Sequence, residues 1–227
     1  KGLPLVNIAQ PFKSSGMMLT CRKDMGVNST DDLKGKTLGV WFYGNEYPFL
    51  SWMSRLGLET DGSSDGVTVL KQGWGVEPLT EGQAACVSTM SYNEYWVVRD
   101  AGYSPEQLTV FKYQAEGAST LEDGLYVLEK NLGDSSFKDK MVRFVRASMK
   151  GWKYAEANPK EAASIILDND DAGVQTEKHQ VRMMGEIAKL TAGSNGALDP
   201  ADYERTVKVL MSGASDPVIT KQPSGAW

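Results

Sequence analysis

Two short stretches gather the side chains in this sequence that are able to do chemistry. One runs Trp41-Phe42-Tyr43-Gly44-Asn45-Glu46-Tyr47, and the other contains Ser91, Tyr92, Asn93, Glu94 and Trp96. Each mixes flat rings with an amide and a carboxylate. Rings offer stacking faces, and Asn and Glu offer directional hydrogen bonds, a combination that suits a flat heteroaromatic ligand. The candidate ligand-binding residues are therefore Trp41, Tyr43, Gly44, Asn45, Glu46, Tyr47, Tyr92, Asn93, Glu94 and Trp96. Glu46 and Glu94 both follow strand ends and could act as an acid–base pair. Two carboxylates equally suit a cationic or amidine-bearing ligand. Aromatics near strand ends are often only core, and for Trp41 and Phe42 that reading weighs as much as the ligand one.

Other chemistry is hard to find. The single histidine, His179, falls opposite the Val181/Met184 face of its helix and reads as a solvated surface residue. No Cys/His/Asp group has metal-ligand spacing, and no G-x-S-x-G elbow, phosphate loop or dinucleotide fingerprint occurs. The sequence nominates no catalytic residue, no metal ligand and no cofactor.

The elements that must position the two clusters follow from pattern. Thr37–Phe42 is rich in β-formers and nearly uncharged, as a covered strand requires. Gly44 permits a turn, Asn45 is placed to cap a helix, Pro48 is tolerated in its first turn, and Gly57 ends it. Val67–Lys71, Ala84–Met90 and Leu108–Tyr113 read as further strands, separated by the turn Gln72–Gly75 and short helical pieces. This βα rhythm predicts a mostly parallel sheet with helices on its faces. Both clusters then sit at C-terminal strand ends, where open α/β sheets bind ligands. Lys1–Phe12, Gly16–Arg22 and Gly124–Glu129 are also strand-like, with Leu5–Ala9 and Leu125–Leu128 expected in a different sheet. From Ser136 onward the chain is helical, with Met141, Val145, Met149 and Trp152 on one stripe. Gly213 is expected to end the last helix.

The totals narrow the class. The 227 residues are 41% hydrophobic and 23% charged, ordinary for a globular protein, and the net charge of -5 leaves no basic footprint for nucleic acid. No apolar run approaches the roughly 18 residues of a membrane span. No targeting signal is visible, as expected of either a mature secreted chain or an excised fragment. Cys21 and Cys86 each lie in an apolar strand-like run, and buried free thiols are the preferred reading.

Leu33-Lys34-Gly35-Lys36-Thr37-Leu38-Gly39-Val40 resembles the D-L-K-G-K-x-[IL]-[GA]-V entry to the second domain of ABC-importer solute-binding proteins. Gly82-Gln83-Ala84-Ala85-Cys86 resembles their G-x-[AV]-D-A segment, with Ala85 where Asp is usual. The stretches GVWFYGNEYPF and STMSYNEYW are similar to the NMT1/THI5-like branch. The resemblance runs on through Phe144–Asn158 to the tail Asp216–Trp227. It implies a type 2 periplasmic-binding-protein-like α/β fold, two lobes closing like a hinge on a ligand. Lobe 2 would be residues 33–114, and lobe 1 residues 1–32 and 115–227, with crossings near Asp24–Asp32 and Ala115–Leu121. Family members carry roughly two further βα units before anything like Lys1–Phe12, so lobe 1 is expected to be incomplete in this chain and to expose apolar surface.

The implied function is extracytoplasmic capture of a thiamine pyrimidine precursor for an ABC permease. The location would be periplasmic, or extracellular with a lipid anchor. Membrane contact would come only through the transporter or an N-terminal anchor outside this sequence. A ligand-sensing domain of a signalling protein would share the same site. One branch of the family is a single-turnover pyrimidine synthase that consumes its own histidine and carries a cysteine-rich stretch. Such a stretch is absent here, and His179 lies among the C-terminal helices, so the sequence reads as a non-enzyme.

Overall fold

The computed structural model describes residues 3–212 and 219–223. The strands are β1 (Leu5–Ala9), β2 (Met17–Arg22), β3 (Thr37–Val40), β4 (Thr68–Lys71), β5 (Cys86–Met90), β6 (Leu108–Lys112) and β7 (Leu125–Leu128). The α-helices are α1 (Glu46–Leu56), α2 (Glu77–Thr80), α3 (Glu94–Asp100), α4 (Ser135–Ala157), α5 (Pro159–Asp168), α6 (Glu177–Thr191) and α7 (Pro200–Met211). The chain forms two compact units. One is Lys1–Ser15, Leu121–Glu204 and Gln222–Trp227; the other is Gly16–Thr120 and Arg205–Lys221.

The second unit is built on a five-stranded sheet in the order β4-β3-β5-β2-β6. β3 pairs parallel with β4 and β5, while β2 pairs antiparallel with both β5 and β6. Four strands thus share a direction and β2 runs against them. Its apolar side chains are covered on both faces, with Met17 to Cys21 all buried. This moves the expected boundary. The sequence reading grouped residues 1–32 together, whereas the chain parts between Ser15 and Gly16, because Met17–Arg22 satisfies both backbone edges inside this sheet. The second crossing lies between Thr120 and Leu121.

The antiparallel insertion also overturns the reading of the cysteines as free thiols. Cys21 and Cys86 face each other in the β2/β5 register and are joined in a disulfide. From sequence alone nothing shows that β2 and β5 are neighbours.

The core on one side of this sheet gathers Leu19, Leu38, Val40, Phe49, Trp52, Met53, Phe111 and Tyr113. Phe49, Trp52 and Met53 come from the buried face of α1, which Gly57 ends in the left-handed conformation at φ 71°. On the other side Val76, Leu79, Val87, Val98 and Leu108 pack together.

The first unit pairs β1 antiparallel with β7 in a two-stranded ribbon and adds α4, α5 and α6. Phe12 meets Trp152 edge-on at 5.5 Å between ring centroids. Asn158, at the start of α5, makes no side-chain cap bond and donates from Nδ2 to the Tyr154 carbonyl. His179, expected on the surface, is half-buried, and its backbone N–H donates to the capping Thr176 Oγ1. Gly213 lies outside the described residues.

None of the 23 residues of α4 is buried. Its apolar stripe, Met141, Val142, Val145 and Met149, lines an open groove of about 590 Å³ with Ile8 and Leu132. Lys138, Arg146, Lys150 and Lys153 rim it. An apolar surface rimmed by cations should bind 8-anilinonaphthalene sulfonate. This protein is expected to enhance the dye's fluorescence in the native state, and Val145→Asp to reduce the enhancement with little change in thermal midpoint. A wild-type protein that leaves the dye dark would show that the groove is covered in solution.

Candidate functional site

The site arises where one strand stops short of its neighbour. The β3–β5 ladder contains the partner pairs Leu38↔Cys86 and Gly39↔Val87. β3 then ends at Val40, while β5 runs on to Met90. Past that point β5 still presents backbone groups on its β3 side. Side chains take them over: Gln72 bonds the Ser88 backbone, and Glu94 Oε2 accepts from the Met90 N–H at 2.9 Å. The gap between the diverging ends is the cavity.

The chain leaving β3 forms one wall. Tyr43 adopts φ 67° and Gly44 φ 121°. The left-handed region costs a residue with a side chain about 1–2 kcal/mol, which is why a glycine shares this turn. Glu46 Oε2 accepts from the Gly44 N–H at 2.7 Å and pins the turn at the start of α1. Asn45, expected as the helix cap, makes no cap bond: its backbone is helical, at φ -79° and ψ -17°, where a capping residue is extended, and its side chain lines the cavity instead.

The opposite wall is the turn after β4. The Trp41 indole N–H donates to the Gly73 carbonyl at 2.9 Å and ties the two walls together. The Lys71 ammonium donates to the Tyr43 hydroxyl at 3.2 Å and stands 4.7 Å from the Tyr43 ring centroid, a cation–π arrangement. Trp74 is 96% exposed and Tyr43 91% exposed, unusual for rings that size unless something stacks on them.

Glu94 is half-buried at the cavity floor. Burial pushes its carboxyl above the ordinary glutamate value, opposed by the Met90 N–H and by Asn93, whose Nδ2 donates to Oε1 at 2.7 Å. The carboxylate keeps further lone pairs for a ligand.

The cavity holds about 470 Å³ and is lined by Trp41, Phe42, Tyr43, Asn45, Lys71, Gln72, Gly73, Trp74, Met90 and Glu94. Both sequence clusters therefore reach it. Trp41 and Phe42 are half-buried, packing on the core while lining the cavity. Gly44, Glu46, Tyr47, Tyr92, Asn93 and Trp96 stand outside the lining. Glu46 and Asn93 are engaged as described, and the Trp96 indole N–H donates to the Ser91 carbonyl at 3.0 Å. Sequence reasoning passed over Lys71, Gln72, Gly73 and Trp74, reading them as a strand end and a turn. A tryptophan between two glycines at a C-terminal strand end was the signal available there.

The fold and the sequence both have known counterparts. The family described as NMT1/THI5 like matches residues 1–162. A formylaminopyrimidine-binding protein of Halalkalibacterium halodurans is 23% identical over 220 residues, covering 92% of this chain and 64% of its own length. This chain thus spans less than two thirds of that relative. A solved structure from Bordetella bronchiseptica RB50 superposes with a TM-score of 0.61 at 16% identity, over 95% of this chain and 68% of the other. A sulfonate-binding protein assigned to an ABC transporter of Methylobacillus flagellatus KT gives 0.60 at 14%, over 92% and 62%. The fold is the α/β fold of periplasmic binding proteins, and the chain belongs to the NMT1/THI5-like family.

Proposed function

We propose that this chain is the solute-binding component of an ABC importer, working outside the cytoplasm and holding a small heteroaromatic ligand of the thiamine-pyrimidine kind. The observation that carries the reading is the cavity at the ends of β3, β4 and β5. Four aromatic rings, Trp41, Phe42, Tyr43 and Trp74, surround two amides, Asn45 and Gln72, and one carboxylate, Glu94. The name of the Halalkalibacterium halodurans relative points to the same ligand class. The buried disulfide supports an oxidising compartment. The partner would be a permease, and the membrane would be met only through it or an anchor. Binding rather than turnover suits a lining whose titratable groups are Tyr43, Lys71 and Glu94, with no nucleophile held against a base.

An aminopyrimidine presents a ring nitrogen beside an exocyclic amine, and a carboxylate accepts from the amine. Hydrogen bonds to charged groups are worth about 1.5–3 kcal/mol. Glu94→Gln is therefore expected to weaken formylaminopyrimidine binding roughly ten- to a hundredfold in calorimetry. An unchanged dissociation constant would remove Glu94 from the site, and no binding by the wild-type protein would remove the pyrimidine.

The same variant should alter the pH dependence of stability. Because burial raises the folded-state value of Glu94, its proton favours the folded form. That contribution is complete below the ordinary glutamate value and is lost as pH rises through the raised one. Denaturation midpoints of Glu94→Gln should decline less across this window than those of the wild type.

A further inference from the structure

Gln72 follows directly on β4 and is only 5% exposed, yet its side chain crosses to a strand that β4 does not touch. Its Oε1 accepts from the Ser88 N–H at 2.8 Å, and its Nε2 donates to the Ser88 carbonyl at 3.0 Å. Nε2 also donates to the Gly75 carbonyl at 3.1 Å. The carboxamide thereby reproduces for Ser88 the paired bonds a neighbouring strand would give. Between Gln72 and β5 lies Gly39. A β-carbon there would stand 3.3 Å from Gln72 Oε1 and 2.9 Å from Val87 Cγ1, so the missing side chain is what leaves the passage open.

We propose that Gln72 is the positioning residue of the ligand cavity: it fastens the Gly73–Gly75 turn to β5 and so fixes where the Trp41 and Trp74 rings stand. The inference rests on reading the cavity as a ligand site. The link to Trp41 is direct, since its indole N–H bonds the Gly73 carbonyl, one residue along from Gln72. Trp74 is the next residue in the same turn, and almost none of its surface is held by anything else. Without the carboxamide, Ser88 would lose partners for both backbone groups, Gly75 would lose its donor, and the turn would be free to leave β5.

The test compares wild type, Gln72→Met and Gln72→Glu. The Trp41 indole N–H resonance, assigned with Trp41→Phe, reports the turn; calorimetry with formylaminopyrimidine reports the cavity; thermal midpoints are recorded separately. Gln72→Met should shift the Trp41 resonance, speed its hydrogen exchange at least tenfold and raise the dissociation constant at least tenfold. Gln72→Glu, ionised, keeps an acceptor for the Ser88 N–H but turns an oxygen towards two carbonyls, so it should behave similarly. Acidification should restore one donor and part of the affinity. It serves as the measure if Gln72→Met does not fold. A lowered midpoint with unchanged Trp41 resonance and affinity would make Gln72 merely structural and overturn the proposal. If the wild type does not bind formylaminopyrimidine, the functional reading fails, and the Trp41 resonance still decides for or against Gln72.

Discussion

Replacing both Cys21 and Cys86 with alanine is expected to cost about 4 kcal/mol of stability. The bridge closes a loop with a sequence separation of 65, and the loss of unfolded-chain entropy for a loop of that size amounts to about 4 kcal/mol. Domains of ordinary stability hold only about 5–15 kcal/mol in total, so the variant would sit near the edge of folding. The neighbouring pair Thr20 and Thr89, whose hydroxyls are 2.8 Å apart, cannot compensate, because a single hydrogen bond contributes about 1 kcal/mol net. Urea titrations followed by tryptophan fluorescence, with and without reductant, give the answer. The oxidised wild type should unfold at clearly higher urea than the double variant, and reductant should move only the wild type once it has been unfolded. Coincident curves would mean that the sheet does not depend on its bridge.

Trp52→Ala is expected to cost about 3–5 kcal/mol, the usual range for deleting a buried large aromatic. Trp52 is 1% exposed, and its ring lies 5.5 Å from that of Phe111 and 5.6 Å from that of Tyr113. It ties α1 to Phe111 of β6 and to Tyr113 just beyond that strand. Because the Tyr43–Asn45 turn hangs from the start of α1, loosening the helix should also weaken ligand binding, although Trp52 lies outside the cavity lining. Trp52→Phe keeps much of the apolar contact and should lose markedly less. Equal losses for the two substitutions would show that neither the lost apolar contact nor the void left behind sets the cost, and would overturn this account.

Much of the second unit was legible because its strands carry their own evidence. Thr37–Val40 and Cys86–Met90 are uncharged and rich in β-formers, and a glycine precedes each, at Gly35 and Gly82. The rings and acids at those strand ends could be named for the same reason. Four features were not legible. The partner of Met17–Arg22 is non-local: an apolar strand reads the same whether it sits in one sheet or another, and only β5 and β6 decide. The disulfide followed from that pairing and was hidden with it. Asn45 is a favourable cap by type, but its backbone is helical, at φ -79° and ψ -17°, and its side chain makes no cap bond. Backbone geometry of that kind leaves no trace in residue type. Gln72 was missed for a related reason: a glutamine in a turn looks solvated, and only Gly39, on another strand, opens its path to Ser88.

The place of β2 in the sheet has a consequence for how the chain is made. β2 leaves the ribosome before either neighbour, and Cys86 follows Cys21 by 65 residues. At about 5–20 residues per second, Cys21 waits roughly 3–13 seconds for its partner. During that interval Met17–Cys21 is an apolar strand with two open edges and an unpaired thiol, a template for association with other chains. A chain built this way gains from being held unfolded until β6 has emerged. Oxidation before then would deprive Cys21 of its native partner.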